Sequence, residues 1–273
     1  MSQSDYVHGY SKRESRRLRD QAGVLAELLH HDTVYPADSR VLEAGCGTGA
    51  QTVILAAGSP GARITSVDRS TASLAAARRA VEQKQQANVS FHTADIYRLP
   101  FPAASFDHVF VCFLLEHLPD PLEGLRRLKD ALRPGGTITV IEGDHDSAFY
   151  HPAGRLAQRT IDCLVEIQAA MGGDALIGRR IFPLLRQAGF RDVRVTPRQV
   201  YADSSRPEWV EGFTRNTFIA MVAGAGEEAI RRGLMDPEAW DRGIAELRAT
   251  AGEDGTFSYT FFKGIAEKPK IIL

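Results

Sequence analysis

Apolar residues along the chain follow two periodicities that take turns. Val41 and Leu42 within Arg40–Glu43, Ile64 and Val67 within Ala62–Asp68, the alternating Val89–Thr93, and the apolar runs His108–Phe113 and Thr137–Ile141 read as strands bounded by turn residues. Between them, Thr52–Ala57, Ser70–Gln86 and Pro121–Leu132 have the composition of helices, the last stopping before Arg133-Pro134-Gly135-Gly136. Strand alternating with helix predicts a mostly parallel, doubly wound sheet, because a parallel neighbour is reached only through a crossover. Ligands in such sheets lie beyond the carboxyl ends of the strands, where the βα loops converge.

Outside this core, Leu18, Ala22, Leu25, Ala26 and Leu29 recur at helical spacing within Ser11–His30 and predict an amphipathic helix. Leu156–Met171 and Arg180–Ala188 continue as helices, and Gly189 stops the second. Arg191–Val200 and Thr256–Ile265 read as two more strands, and Pro207–Gly252 between them is a mainly helical insertion, far longer than an ordinary connection.

Composition narrows the class. The 273 residues are 44% hydrophobic and 25% charged, values of an ordinary globular chain. With 33 Lys+Arg against 34 Asp+Glu, the net charge of -1 supplies no broad field to attract nucleic acid or anionic lipid, so neither is expected as a partner. The apolar stretch Val109–Leu115 is too short to span a bilayer, and the segment through Asp20 is too polar for a signal peptide. Cys46, Cys112 and Cys163 lie far apart, which fits a reducing, cytoplasmic setting.

The sharpest local signal is Glu43-Ala44-Gly45-Cys46-Gly47-Thr48-Gly49, between a strand and a helix. Glycines there let the backbone turn tightly and approach a ligand, and the helix start offers free N–H groups. Gly45, Gly47 and Ala50 also satisfy the dinucleotide pattern, so the glycines alone leave the cofactor open. Asp68 ends the second strand, where a carboxylate accepts from ribose hydroxyls, and Asp95 ends the third, in reach of an adenine amine. Glu43 beside the turn would repel a pyrophosphate and stabilise a cation.

As a set, this turn, Ala94-Asp95-Ile96 followed by Leu99-Pro100-Phe101, Ser105-Phe106-Asp107, Leu115-Glu116-His117-Leu118 and Leu132-Arg133-Pro134-Gly135-Gly136 resemble the class I S-adenosylmethionine-dependent methyltransferases, closely over Arg40–Ile141 and loosely to about Glu267. The resemblance implies a Rossmann-like, mostly parallel seven-stranded α/β sheet with an antiparallel last strand. It places an N-terminal helical lid at residues 1–35, the methyltransferase domain at 36–267 with a cofactor core at 38–142 and a helical insertion at 205–253, and a tail at 268–273. It implies S-adenosyl-L-methionine as cofactor, with Ala44, Gly45, Cys46, Gly47 and Gly49 under the methionine part and Glu43 holding its ammonium group. Asp68 would bind the ribose beside Arg69, and Ala94, Asp95 and Ile96 would frame the adenine. Cys112, Phe113, Leu114 and His117 would lie along the donor.

Methyl transfer from a sulfonium needs alignment and exclusion of water more than an added catalyst, although a base helps where the acceptor must shed a proton. The expected acceptor-side residues follow the fifth strand: His145 as a base, with Asp144 or Glu142 orienting it or holding a cationic substrate. Tyr6, His8 and Tyr10 would fold over the cofactor as a lid, with Tyr10 a further catalytic candidate and Tyr6 facing the substrate. Phe149 and Tyr150 would line the acceptor pocket, Arg179 would meet an acidic substrate, and no metal is expected. A small-molecule acceptor is favoured because no basic tract and no amino-methylation motif of the N-P-P-Y type is present. An NAD-dependent oxidoreductase and a non-catalytic cofactor-binding subunit are the competing readings, and the amphipathic helix and the insertion offer surfaces for a homodimer.

Overall fold

Burial at consecutive positions decides where the first strand lies. In β1 (Arg40–Ala44) every residue from Val41 to Ala44 is buried, so both faces are covered and the strand belongs inside a sheet. In the computed structural model, which describes residues 23–270, β1 pairs in parallel with β2 (Arg63–Asp68) and with β4 (Phe106–Cys112). β3 (Val89–Thr93) adds to β2 and β5 (Leu132–Gly143) to β4, again in parallel. The strand order continues from β5 to β8 (Thr256–Glu267), which also pairs with β7 (Arg191–Ala202).

The described chain forms two compact units. One comprises Ala26–Glu142, Ile177–Pro197 and residues 262–270; the other comprises Gly143–Leu176, Arg198–Phe261 and residues 23–25. The first unit is the doubly wound core. Its helices are α2 (Thr52–Gly58), α3 (Thr71–Gln83), α4 (Pro121–Ala131) and α6 (Ile181–Gln187), besides most of the helical residues 23–30, here α1. Leu125 and Leu128 of α4 and Leu184 and Leu185 of α6 share one buried cluster with Val109, Val111, Ile138 and Val140 of the sheet. Each such side chain contributes roughly 1.5–3 kcal/mol through removal from water.

β5 departs from expectation at its start. It begins at Leu132, with no separate loop after α4, and the register jumps from Phe106↔Leu132 to His108↔Thr137. Arg133–Gly136 therefore form a bulge rather than a free turn. Arg133 Nε bonds Asp107 Oδ1 at 2.9 Å, and Asp107 Oδ2 accepts the Arg40 N–H at 2.7 Å.

Two polar ties secure the end of α1 within this unit. Lys263 of β8 is 1% exposed, and its Nζ donates to Leu29 O at 3.0 Å, to Thr33 Oγ1 at 2.6 Å and to the Asp32 carboxylate. His30 Nε2 bonds Gln51 Oε1 at 2.7 Å, at the residue that precedes α2. Burial pushes the His30 pKa down to about 4 from 6.5, against the raising effect of Gln51. The folded state thus holds this ring neutral, so its contribution is complete above pH 6.5 and drains away as pH falls toward 4. Urea midpoints of wild type and His30→Gln should diverge across that window, with wild type losing ground toward acid.

The second unit is built around aromatic side chains. α5 (Arg155–Ala170) packs on α10 (Pro237–Ala249), and Glu246 Oε2 accepts the Leu156 and Ala157 N–H groups at 3.0 and 2.8 Å, capping α5 from outside. α7 (Pro207–Trp209) runs into a π-helical stretch, Val210–Ile219, followed by α8 (Ala220–Gly224) and α9 (Gly226–Arg231). The wider winding brings Phe213 and Phe218, five apart in sequence, onto one buried face, where both rings pack against Phe257 and Tyr259. β6 (Phe149–His151) is an eighth strand that the sequence does not announce; it pairs antiparallel with the start of β8. β8 is the antiparallel last strand expected from the sequence. Among the described residues no helix is long and apolar enough to cross a membrane.

Candidate active site

The parallel pairing of β1, β2 and β3 stacks their carboxyl ends at one level, with Ala44 opposite Val67 and Asp68 opposite Thr93. The glycine turn therefore begins beside Asp68. Gly45 and Cys46 donate their N–H groups to Val67 O at 2.9 and 3.0 Å, and Gly47 donates to Asp68 Oδ2 at 2.9 Å. At Gly49, with φ of +83°, a Cβ would fall 2.8 Å from Ala77 Cα, so only glycine lets α3 approach the turn. At Gly47 nothing lies within 4 Å of the position a Cβ would take. That open side is a cradle in which a ligand can meet bare backbone.

Each acid has a distinct setting. Asp68 also accepts the Ser70 N–H on Oδ1 at 2.8 Å, so both oxygens help to shape the turn and the start of α3. A carboxylate has about four lone-pair sites, which leaves capacity for two hydroxyls. Burial raises the Asp68 pKa, and the Ser70 and Gly47 N–H groups oppose that rise. Glu43 is 2% exposed, and its Oε2 accepts from Thr52 Oγ1 at 2.7 Å and Ser66 Oγ at 2.6 Å. Burial pushes its pKa up to about 7, the two hydroxyls pull it down, and the charge of Asp68 adds to the rise. Asp95 is exposed and accepts the Tyr97 N–H on Oδ1 at 2.9 Å. Ala94 donates its N–H to Asp68 O, Ile96 is buried, and Arg69 is exposed.

The Glu43 shift has a sign that can be tested. A carboxyl whose folded pKa stands near 7 against 4.5 favours the folded state fully below pH 4.5 and loses that advantage as pH rises to 7. Unliganded wild type should lose thermal midpoint relative to Glu43→Gln across this window, and a cationic ligand should restore it.

The end of β4 closes the same site. Cys112 is buried, and Phe113, at φ of +53°, donates its N–H to Ile141 O at 2.9 Å. The Leu114 side chain lies over Gly45, where a Cβ would fall 2.7 Å from Leu114 Cδ1. His117 sits in the short turn Leu115–His117, its Nε2 3.6 Å from Glu116 Oε1. Glu142, expected toward the substrate, is instead 0% exposed, and its Oε1 accepts the Leu114 and Leu115 N–H groups at 3.0 and 2.7 Å. Thr52 and Ser66 were legible in principle, since hydroxyls within apolar elements need a buried acceptor. Nothing local in the sequence marks the contact of Glu142 with the Leu114 and Leu115 amides.

Asp144 and His145 belong to the second unit. Expected on the acceptor side after the fifth strand, Asp144 is buried and His145 is 5% exposed; only Asp146 of the pair of flanking acids is exposed. The reason is local packing. His145 Nδ1 bonds the Tyr259 hydroxyl at 2.7 Å, its ring meets Phe218 edge-on at 6.4 Å, and its backbone N–H donates to Ala175 O at 3.0 Å. Tyr259, a partner the sequence did not flag, also abuts Gly143, where a Cβ would fall 2.3 Å from its hydroxyl. Tyr150 stacks parallel on Phe257 at 6.1 Å, whereas Phe149 is 79% exposed. Arg179 is exposed in the turn Ile177–Arg180 of the first unit. Tyr6, His8 and Tyr10 fall outside the described residues. Among the described residues no group of three or more His, Cys, Asp or Glu side chains is placed to hold a metal ion.

Residues 42–140 match a family described as a methyltransferase domain. The chain is 35% identical over 224 residues to an uncharacterised methyltransferase of Schizosaccharomyces pombe, which covers 78% of this chain and 76% of the relative. It is 28% identical over 237 residues to the trans-aconitate 2-methyltransferase of Deinococcus radiodurans, covering 81% and 83%. Other curated relatives are longer proteins, of which the chain spans about half. Among solved structures, phosphoethanolamine N-methyltransferase 2 of Haemonchus contortus, in complex with phosphomonomethylethanolamine and S-adenosylhomocysteine, superimposes with a TM-score of 0.55 at 20% identity, over 92% of this chain and 53% of that one. By sequence as well as by fold, the chain belongs to the class I S-adenosylmethionine-dependent methyltransferases.

Proposed function

We propose that the protein transfers the methyl group of S-adenosyl-L-methionine to a small-molecule acceptor by in-line displacement. The observation that carries this reading is the pairing of an open glycine cradle at Gly47 with two carboxyl groups, Glu43 and Asp68, on adjoining strand ends. Negative charge at that place disfavours a pyrophosphate and favours a donor bearing ammonium and sulfonium charges. In this reading Asp68 takes the ribose hydroxyls and Glu43 the ammonium group, directly or through a water. Asp95 takes the adenine amine between Ala94 and Ile96, beside Arg69. Ala44, Gly45, Cys46 and Gly49 form the floor, and Cys112, Phe113, Leu114 and His117 form the wall.

Bound S-adenosyl-L-methionine supplies a methyl electrophile that is already activated. What remains for the chain is to hold the acceptor in line and keep water away. On the acceptor side the proposed roles are His145 holding the departing proton, Asp144 assisting, and Tyr150 and Phe149 beside the acceptor. The Tyr259 hydroxyl fixes the His145 ring. Arg179 stands as a further proposed contact to an acidic acceptor group, whereas the catalytic candidate Tyr10 and the substrate candidate Tyr6 lie outside the described residues. A relative named for trans-aconitate supports a small acceptor.

The test is transfer of labelled methyl from S-adenosyl-L-methionine into a cell extract separated by size. Label is expected in the small-molecule fraction and should fall when His145 is replaced by Ala, while S-adenosylhomocysteine affinity stays unchanged. Label confined to protein or nucleic acid would overturn the acceptor class.

A further inference from the structure

Three successive backbone N–H groups after β4 are all held by the end of β5. Phe113 donates to Ile141 O, and Leu114 and Leu115 both donate to the single oxygen Glu142 Oε1, at 3.0 and 2.7 Å. The first of these residues is in the left-handed region at φ of +53°, an unfavourable conformation for a phenylalanine. Such a conformation persists only where its surroundings over-determine it. The same turn lays the Leu114 side chain against Gly45, so its path shapes one wall of the glycine cradle. Glu142 Oε2 has no hydrogen-bond partner, although the side chain is wholly buried.

We propose that Glu142 is a positioning residue for the cofactor: through Oε1 it clamps the Phe113–Leu115 turn and so holds Leu114 over the donor seat. This rests on the methyltransferase reading above and deepens it by moving Glu142 from the acceptor to the donor side. The clamp needs an oxygen acceptor and no charge. Burial, with Glu116 nearby, holds the Glu142 carboxyl well above its ordinary pKa, which agrees with a group that works uncharged. A glutamine retains the accepting oxygen, whereas a leucine of similar size leaves two buried N–H groups unpaired.

The test compares Glu142→Gln and Glu142→Leu by calorimetric titration with S-adenosyl-L-methionine and with S-adenosylhomocysteine, which lacks the sulfonium charge. Glu142→Gln should bind both ligands within about three-fold of wild type, and Glu142→Leu should lose at least about ten-fold for both equally. Wild-type affinity in Glu142→Leu would overturn the clamp. A loss in Glu142→Gln that is larger for the charged ligand would overturn it too, because it would show an electrostatic role. Should Glu142→Leu fail to fold, hydrogen exchange decides: the Leu114 and Leu115 amides must be protected in unliganded wild type and in Glu142→Gln, and rapid exchange in wild type contradicts the proposal. Wild type that binds neither ligand while these amides stay protected would overturn the methyltransferase reading, and the cofactor role with it, but not the clamp itself.

Discussion

Replacing Asp68 by alanine is expected to weaken S-adenosylhomocysteine binding by about ten- to a hundred-fold. Two losses add. The proposed hydrogen bonds to the ribose are charge-assisted and worth roughly 1.5–3 kcal/mol together with their desolvated setting. The carboxylate also receives the Gly47 N–H at 2.9 Å and the Ser70 N–H at 2.8 Å, so its removal loosens the turn that forms the cradle. Asp68→Asn separates the two effects. It keeps an oxygen for one N–H group but surrenders the charge, and it should fall between wild type and alanine. Calorimetric titration of the three proteins reads the result, and equal affinity in all of them would remove Asp68 from the donor site.

The largest expected loss of stability comes from Gly49→Ala. A methyl group there would stand 2.8 Å from Ala77 Cα and 2.9 Å from Ala77 Cβ, so α3 must move away from the turn. Forced overpacking costs about 1–3 kcal/mol, and a non-glycine residue held at φ of +83° adds about 1–2 kcal/mol. A denaturation midpoint should register a total loss of about 2–5 kcal/mol. The comparison substitution is Gly47→Ala, where φ is also positive but nothing lies within 4 Å. It should cost only the backbone term and should weaken donor binding more than it weakens the fold. A Gly49→Ala protein as stable as Gly47→Ala would contradict the packing argument.

Much of the core was legible because its signals are local. Val89–Thr93 forms the strand that its alternation predicts, and the glycine turn stands between β1 and α2 as its spacing requires. What the sequence concealed depends on partners distant along the chain. β6 is three residues long and exists because the start of β8 pairs with it. Phe213 and Phe218 look out of step for an ordinary helix and share a face only through π winding. Arg133–Gly136 read as a loop but are taken into a bulged strand by pairing on either side. In the site, the same contrast separates Asp68, whose strand-end position places it, from Glu142 and His145. Position after a strand suggests an acceptor-side role for those two, yet Glu142 accepts from the Leu114 and Leu115 amides and His145 bonds Tyr259.

The most direct measurement is a crystal structure with S-adenosylhomocysteine bound. The account predicts the ribose hydroxyls within hydrogen-bonding distance of the Asp68 carboxylate, the amino group beside Glu43, and the chain of the ligand crossing the bare face of Gly47. A ligand bound elsewhere, or bound there with its ribose turned away from Asp68, would contradict it.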